Sequence, residues 1–478
     1  MNQPPIHKED LLRTLPDEWP VDLRSQIRDR VETDGRKVVV LDDDPTGTQT
    51  VHGIPVITEW SEETLKAELK NDLPAFYILT NSRSLPPVEA RTMNKEIGSA
   101  LVAAGRGTGR DYVVVSRSDS TLRGHFPEEV EALAAALSGR FDGWIIHPFF
   151  LEGGRYTIGD IHYVDQGGLL TPAGETEFAR DSVFGYRSSN LCAWVEEKTQ
   201  GQISAGEVLS VSIEDIRRGG PERITKKLTA LKNGMMCVVN SAGYRDVEVF
   251  IMGLLDAESR GKRFLYRTAA SFVQVRAGLR PRPVLTRSDL AMPESGGGLA
   301  LVGSYVPRTT AQLEVLLSLP GIKATEIRVA SLLKDASRFE EIRRVTRRVE
   351  SALRRSEDMV VYTTRRIVRT GDAERDLMIG SRISEGLIEV LRSLSTPPRY
   401  LIAKGGITAS DLATGALGVR RALVLGQILP GVPLWRLGPE SRFSGIPYVV
   451  FPGNVGGPEA IAEVVTMLKT DPAEGDEG

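Results

Sequence analysis

Three consecutive carboxylates, Asp42, Asp43 and Asp44, run straight into Pro45, Thr46 and Gly47. Adjacent acids repel one another, so a fold keeps such a run only with cations, hydrogen-bond donors or good solvation beside it. Held in place, they can bind a hydroxyl or take its proton. Val38 to Leu41, apolar and mostly β-branched, precede the acids and predict a short buried strand. Pro45 and Gly47 end that strand and turn the chain. Acids at a strand exit suit an α/β sheet, whose ligands bind outside the carboxyl ends of its strands. An acidic surface turn is the plain alternative, and the buried strand in front of it favours a site.

Further polar residues follow other predicted strands in the same way. Arg83 comes after Ala75 to Thr80, and Asp119, Ser120, Thr121 and Arg123 follow Tyr112 to Val115. Arg155 lies beyond Trp144 to Ile146. Guanidinium forks match a carboxylate or phosphate, and acids match hydroxyls, so the set describes a pocket for a small polyhydroxylated acid. Each residue alone reads as a surface ion-pair partner; the case rests on the set.

A second set is rich in glycine. Gly303-Ser304, Gly405-Gly406 and Gly453-Asn454-Val455-Gly456 each follow a predicted strand: Leu299 to Gly303, Tyr400 to Ala403 and Tyr448 to Phe451. Such turns let backbone N–H groups converge on an anion. Pro458 is expected at the first position of the helix that follows, adding its dipole. Three turns on one sheet edge suggest a nucleotide-sized phosphate site. No Gly-x4-Gly-Lys-Ser/Thr occurs, which excludes a P-loop NTPase. His52, His125, His147 and His162 lack metal-ligand spacing, and no metal ligand is assigned. Trp194 and Trp435 read as packing residues.

The elements that must position these residues alternate β-loop-α, which calls for mainly parallel sheets covered by helices. Helices are expected over Pro87 to Ala104, Glu128 to Leu137, Thr309 to Leu319 and Leu377 to Leu394, and further strands over Met235 to Val239, Arg263 to Tyr266 and Met359 to Thr363. A Pro-, Gly- and Ser-rich stretch from Arg276 to Gly298 reads as a linker. The expected organisation is an arm over 1–36 (helical around Val21 to Val31), a domain over 37–276, a linker over 277–298, a second domain over 299–470, and a disordered acidic tail over 471–478.

Composition fits two such domains. The chain has 478 residues, 41% hydrophobic and 26% charged, with a formal net charge of −3. That balance argues against nucleic-acid binding. Two cysteines fit no metal spacing or disulfide framework. With no signal-like or membrane-spanning apolar run, a cytoplasmic protein without a membrane partner is expected.

Asp42-x-Asp44-x-Thr46 after an apolar strand is similar to the first motif of haloacid-dehalogenase-like phosphatases, with Asp42 as nucleophile and Asp44 as general acid. That reading leaves the glycine turns unused. Nearly the whole chain, from Val38 to Leu468, resembles the four-carbon acid sugar kinase family instead. Its Asp-Asp-x-Thr-Gly signature falls on Asp43, Asp44, Thr46 and Gly47, and Thr80 to Leu85 resembles its Ser-Arg strand exit. Asp-Ser-Thr-x-Arg-Gly falls on Asp119, Ser120, Thr121, Arg123 and Gly124. Pro148-x-Phe150-x-Glu152-x-Gly154-Arg155 and Gly159 to Val164 match two further segments, and the glycine turns fall on the family's nucleotide-binding turns.

The resemblance implies an ATP-dependent kinase with an active-site cleft between a sugar-acid domain and a nucleotide domain. Arg83, Arg123 and Arg155, with Thr46, Ser120 and Thr121, would hold the acid. Asp43 or Asp44, ahead of Asp119, would take the proton of the attacked hydroxyl. Gly303, Ser304, Gly405, Gly406, Gly453, Asn454, Val455 and Gly456 would cradle ATP, with Mg²⁺ on its phosphates. The domains would open and close about the Arg276 to Gly298 linker. A small sugar acid is the expected partner, and a homo-oligomer is compatible with the chain. The sequence departs from the family at Ile407, where Glu is common, and at Ser116-Arg117-Ser118, where lysines are common. His147 and Leu151 also replace commoner residues. The first change bears on metal binding and the second on the choice of acid; a pocket that binds without catalysis is the third reading.

Overall fold

Lys37–Asp42 is a strand buried along its whole length, with parallel partners on both sides. The computed structural model describes residues 4–137, 139–304, 306–365, 373–453 and 455–469. They form two units. One runs from the N-terminus to Ile54 and from Glu59 to Pro281; the other combines Pro55–Thr58 with the chain from Arg282 onward. The tail over 471–478 lies outside the described residues.

In the first unit the sheet order is Leu209–Val211, Met235–Val239, Gly143–His147, Phe264–Thr268, Tyr112–Arg117, Lys37–Asp42, Ala75–Leu79, with every pairing parallel. Parallel neighbours need crossovers, and helices such as Pro87–Thr108 and Tyr244–Ser259 supply them. The first of these starts with proline at N1 and runs to Thr108, a turn beyond expectation. Gly109, at φ 65°, is the left-handed stop. After Lys37–Asp42 the sheet grows first to one side, through Ala75–Leu79, and then to the other, through Tyr112–Arg117. That reversal opens a crevice at the strand exits.

A small antiparallel sheet went unread in the sequence: Ile6–His7, Leu169–Pro172, Ile161–Asp165 and Arg155–Ile158, in that spatial order. Its edge strand comes from the N-terminal arm, which Lys8 also ties down through a 2.8 Å ion pair to Asp165. Helix Arg24–Asp34 covers most of the expected helical arm.

The second unit has the order Lys323–Ile327, Met359–Thr363, Leu299–Val302, Leu401–Lys404, Pro447–Phe451, Val432–Leu437, Arg421–Leu429, and then the strand ending at Ile57. The strands from Lys323–Ile327 through Pro447–Phe451 pair in parallel, whereas Val432–Leu437 and Arg421–Leu429 form an antiparallel extension. Thr58 N donates to Arg420 O at 3.1 Å beside that extension. The direction of growth reverses again, here around Leu299–Val302. The stretch read as a linker is already bonded to this unit at Arg282, whose Nη1 donates to Leu425 O, and at Leu285, whose N–H donates to Gln427 O. The last helix spans Ala460–Leu468, so Pro458 stands before it rather than at its first position. Among the described residues no helix is long and apolar enough to cross a membrane.

Candidate active site

The reversal in the first sheet brings the exits of Lys37–Asp42 and Tyr112–Arg117 side by side, and with them Asp43 and Asp119. The Asp119 N–H donates to Asp43 Oδ2 at 3.3 Å. Arg83, from the turn after Ala75–Leu79, ties the group together. It pairs with Asp44, lies 3.3 Å from Asp119 and 3.8 Å from Asp43. Arg123 Nε donates to Asp119 Oδ2 at 2.7 Å, and Arg123 also lies 3.7 Å from Asp181.

Thr46 turns inward: its N–H and hydroxyl both donate to Asp44 Oδ1, at 2.8 and 2.6 Å. The Thr121 hydroxyl likewise donates to Asp119. Both threonines, expected to hold the substrate, donate their hydroxyl protons to acids. Ser120 is buried, and Arg155 donates to Gly153 O.

The turn after Asp119 is fixed through its carbonyls. Ser120 O lies 2.7 Å from His162 Nε2, Thr121 O accepts from the Tyr186 hydroxyl at 2.7 Å, and Arg123 O accepts from Arg267 Nη2 at 3.0 Å. Leu122 holds φ 70°, a costly conformation for a bulky residue, and persists there because neighbours on either side are bonded. Gly124, at φ 116°, needs to be glycine: a Cβ would stand 3.3 Å from Asp43 Oδ2.

These contacts split the acids. Burial alone would raise Asp44, but Arg83 and the Thr46 donors hold it below the usual carboxylate range. Asp119 also escapes the effect of burial, because Arg123 and Arg83 bring it well below. Asp43 is different. Burial raises its proton affinity more than Arg83 and Arg117 lower it, and its Oδ1 accepts no hydrogen bond. Asp42 is pushed up to about 8, chiefly by burial. Gly47 lies over its carboxylate so closely that a Cβ there would come within 2.1 Å of both oxygens. A nucleophile has to be open to an incoming ester, and this one is roofed.

Glu129 and Arg267 were missed in the sequence, and Arg117 was noted only as part of the departure at Ser116-Arg117-Ser118. Arg117 lies 3.3 Å from Asp42 and 3.7 Å from Asp43. Glu129 is pushed up to about 7 by burial, with the Asp43 charge adding to it. Arg117 ends its strand and Arg267 stands one residue from the end of its own, close to the signal that drew notice to Asp43. The histidines have protein partners. His147 lies 2.8 Å from Ser241 Oγ among Phe149, Phe250 and Phe272, and His125 reaches Leu85 O at 3.0 Å.

In the second unit the reversal gathers the turns at Gly303, Gly405 and Gly453. Ser304 N–H donates to Lys404 O, and Gly405 N–H to Phe451 O. A Cβ on Gly453 would lie 3.5 Å from Ser304 Oγ, and one on Gly303 would lie 2.3 Å from the Thr408 hydroxyl. Asn454 lies outside the described residues. Gly406 opens the short helix Gly406–Asp411, and Ile407 beside it is exposed.

Here too side chains take the carbonyls. Lys404 Nζ donates to Pro452 O at 2.5 Å and the Thr309 hydroxyl to Gly453 O at 3.2 Å. Gln312 Nε2 reaches the carbonyls of Val455, Gly456 and Gly457 at 3.0, 3.3 and 2.9 Å. In a planar trans peptide the next N–H points the opposite way. The Gly453, Gly456 and Gly457 amides therefore face away from these anchors, as an anion cradle requires. Thr309 and Gln312, buried polar residues on helix Pro307–Ser318, were not singled out in the sequence. Lys404 is pushed down to about 7 by burial, with Arg308 adding to it.

The chain's relatives carry the same division. Residues 38–276 match a sugar-binding N-terminal domain and residues 299–461 a nucleotide-binding C-terminal domain. A D-threonate kinase of Cupriavidus necator is 25% identical over 361 residues, covering 74% of this chain and 78% of that protein. A 3-oxo-tetronate kinase of the same organism is 24% identical over 406 residues, covering 82% and 87%. Solved proteins from Salmonella typhimurium LT2 (17% identity, TM-score 0.63, 88% of this chain and 97% of that one) and Haemophilus influenzae (18%, 0.60, 90% and 100%) share the fold. With its two domain matches in sequence order, the chain belongs to the four-carbon acid sugar kinase family.

Proposed function

We propose that this chain is an ATP-dependent kinase that phosphorylates a hydroxyl of a four-carbon sugar acid such as a threonate, an erythronate or a 3-oxo-tetronate. The names of its relatives support the substrate class. The observation that carries the reading is the state of Asp43: raised proton affinity, one carboxylate oxygen that accepts no hydrogen bond and faces Arg83 and Arg117 only at 3.8 and 3.7 Å, and a place at the crevice in the first sheet. A hydroxyl donating to that oxygen has a base poised to take its proton. Asp44 and Asp119, committed to arginines, orient Arg83 and Arg123.

The glycine turns suit the phosphates of ATP, because the Gly453, Gly456 and Gly457 amides face away from the carbonyl anchors and the missing side chains allow close approach. Bound Mg-ATP would supply the phosphoryl group and neutralise its charge. Among the described residues no group of three or more His, Cys, Asp or Glu is placed to hold a metal. Mg²⁺ has no need of such a cage when phosphates and water fill its shell. The reading includes a cytoplasmic location.

The test is ADP release from Mg-ATP across the erythronate, threonate and 3-oxo-tetronate isomers, beside hydrolysis of a generic phosphate ester. Release that depends on one acid supports the kinase and names its substrate. Ester cleavage lost in Asp42→Asn, with no acid-dependent ADP, would replace the kinase by the phosphatase.

A further inference from the structure

Five arginines surround the crevice of the first unit, and they differ in what neutralises them. Arg83 lies within 4 Å of three aspartates, Arg117 of Asp42 and Asp43, and Arg123 of Asp119 and Asp181. Arg155 and Arg267 stand in no ion pair with any described residue. Arg155 has a buried Nε without a partner. Arg267, 3% exposed, donates among the described residues only to Arg123 O, with its guanidinium over the rings of Trp194 and Phe126 at 4.9 and 5.4 Å.

A buried cation without an anion is costly, and aromatic faces offset only part of that cost. Burial holds both guanidiniums below the ordinary arginine range, although the charges of Asp43, Asp119 and Glu129 act the other way on Arg267 and those of Asp119 and Glu177 on Arg155, none of them in ion-pair contact. They also border the same turn. Arg155 and Arg123 lie over one ring, that of Phe178, at 5.6 and 5.1 Å. Arg155 and Arg267 both act on His162, which burial and their charges bring down to about 4. A Cβ on Gly124 would lie 3.3 Å from Asp43 Oδ2 and 3.9 Å from Arg267 Nη2, so acid and guanidinium face the same glycine.

We propose that Arg267, together with Arg155, holds the carboxylate of the sugar acid, and that Arg83 and Arg123 instead orient the aspartates. The proposal rests on the sugar-acid reading of this site and sharpens it. A short acid anchored at Arg267 presents its hydroxyls to Asp43. The anchor is made before and during transfer alike, so its loss acts on binding rather than on the chemical step.

The experiment compares wild type with Arg267→Met, measuring the Kd and KM of the preferred sugar acid and of the uncharged polyol of the same configuration, with ATP affinity as a control. Leaving an anionic ligand group without its buried partner weakens binding by about 30-fold or more. The expected result is that loss for the acid, kcat within a few-fold, polyol and ATP binding unchanged, and a collapsed preference for the acid. Acid affinity within about threefold of wild type would overturn the assignment and leave the kinase standing. Should wild type bind no sugar acid at all, the kinase reading itself falls, and this proposal with it. If Arg267→Met does not fold, Arg267→Lys keeps the charge but loses the fork. An acid preference intact in that variant and in Arg155→Met would count equally against the proposal.

Discussion

Adjacent in the chain, Asp43 and Asp44 differ in proton affinity because Asp44 has its oxygens hydrogen-bonded by Thr46 and Arg83, whereas burial outweighs the more distant Arg83 and Arg117 at Asp43, whose Oδ1 accepts no hydrogen bond. If Asp43 is the base, Asp43→Asn lowers kcat by roughly 10²–10⁴-fold with the fold retained; steady-state kinetics beside a thermal melt decides this. Since its affinity is raised, the acidic limb of kcat/KM lies above that of an ordinary aspartate. Asp42 makes a separate prediction about stability. Its pKa of about 8 in the fold exceeds the roughly 3.9 of an unfolded chain, so between those values the native state binds the extra proton. The Asp42 contribution is complete below the lower value and is lost as pH rises toward 8. Melts from pH 4 to pH 8 should show the decline, and Asp42→Asn should flatten it. The sequence displayed the acids but not their sorting, which is set by residues far along the chain such as Arg83 and Arg117.

At the scale of elements, strand exits were legible because apolar runs stop abruptly at charged or glycine residues. The alternation of Lys37–Asp42, Ala75–Leu79 and Tyr112–Arg117 with helices also announced a parallel sheet. Spatial order was not legible, since nothing local in those strands tells which side of Lys37–Asp42 each will take. Arg155–Ile158 and Ile161–Asp165 give no strand signal in the sequence because each is short and flanked by glycine, so no alternating pattern has room to develop. The anchors of the second unit escaped for another reason: Gln312 has the look of an ordinary polar helix residue until the loop it clamps is known. Gln312→Leu frees three carbonyls, and nucleotide affinity should fall about tenfold, as titration would show, with little change in melting temperature. Gly456→Ala places a methyl 2.4 Å from the Ala460 Cβ at φ 83°. It should cost about 1–3 kcal/mol in chemical denaturation.

For the whole molecule, composition and the glycine- and proline-rich stretch at 277–298 pointed to two bodies joined once. The chain instead leaves the first unit after Ile54, returns at Glu59 and departs again after Pro281. Pro55–Thr58 is four residues long, too short for composition to mark it as belonging elsewhere. This excursion limits how the protein can be rearranged. Family halves invite exchange as cassettes, with the sugar half of one member spliced to the nucleotide half of another at the obvious joint. In such a chimera the borrowed nucleotide half meets a foreign strand against Arg421–Leu429, or none, and a bare strand edge invites aggregation. Cassette boundaries drawn at 281/282 alone should give poorly soluble hybrids. Hybrids that also carry residues 55–58 from the nucleotide donor should recover, so that inheritance in this fold follows strand pairing rather than the order of the gene.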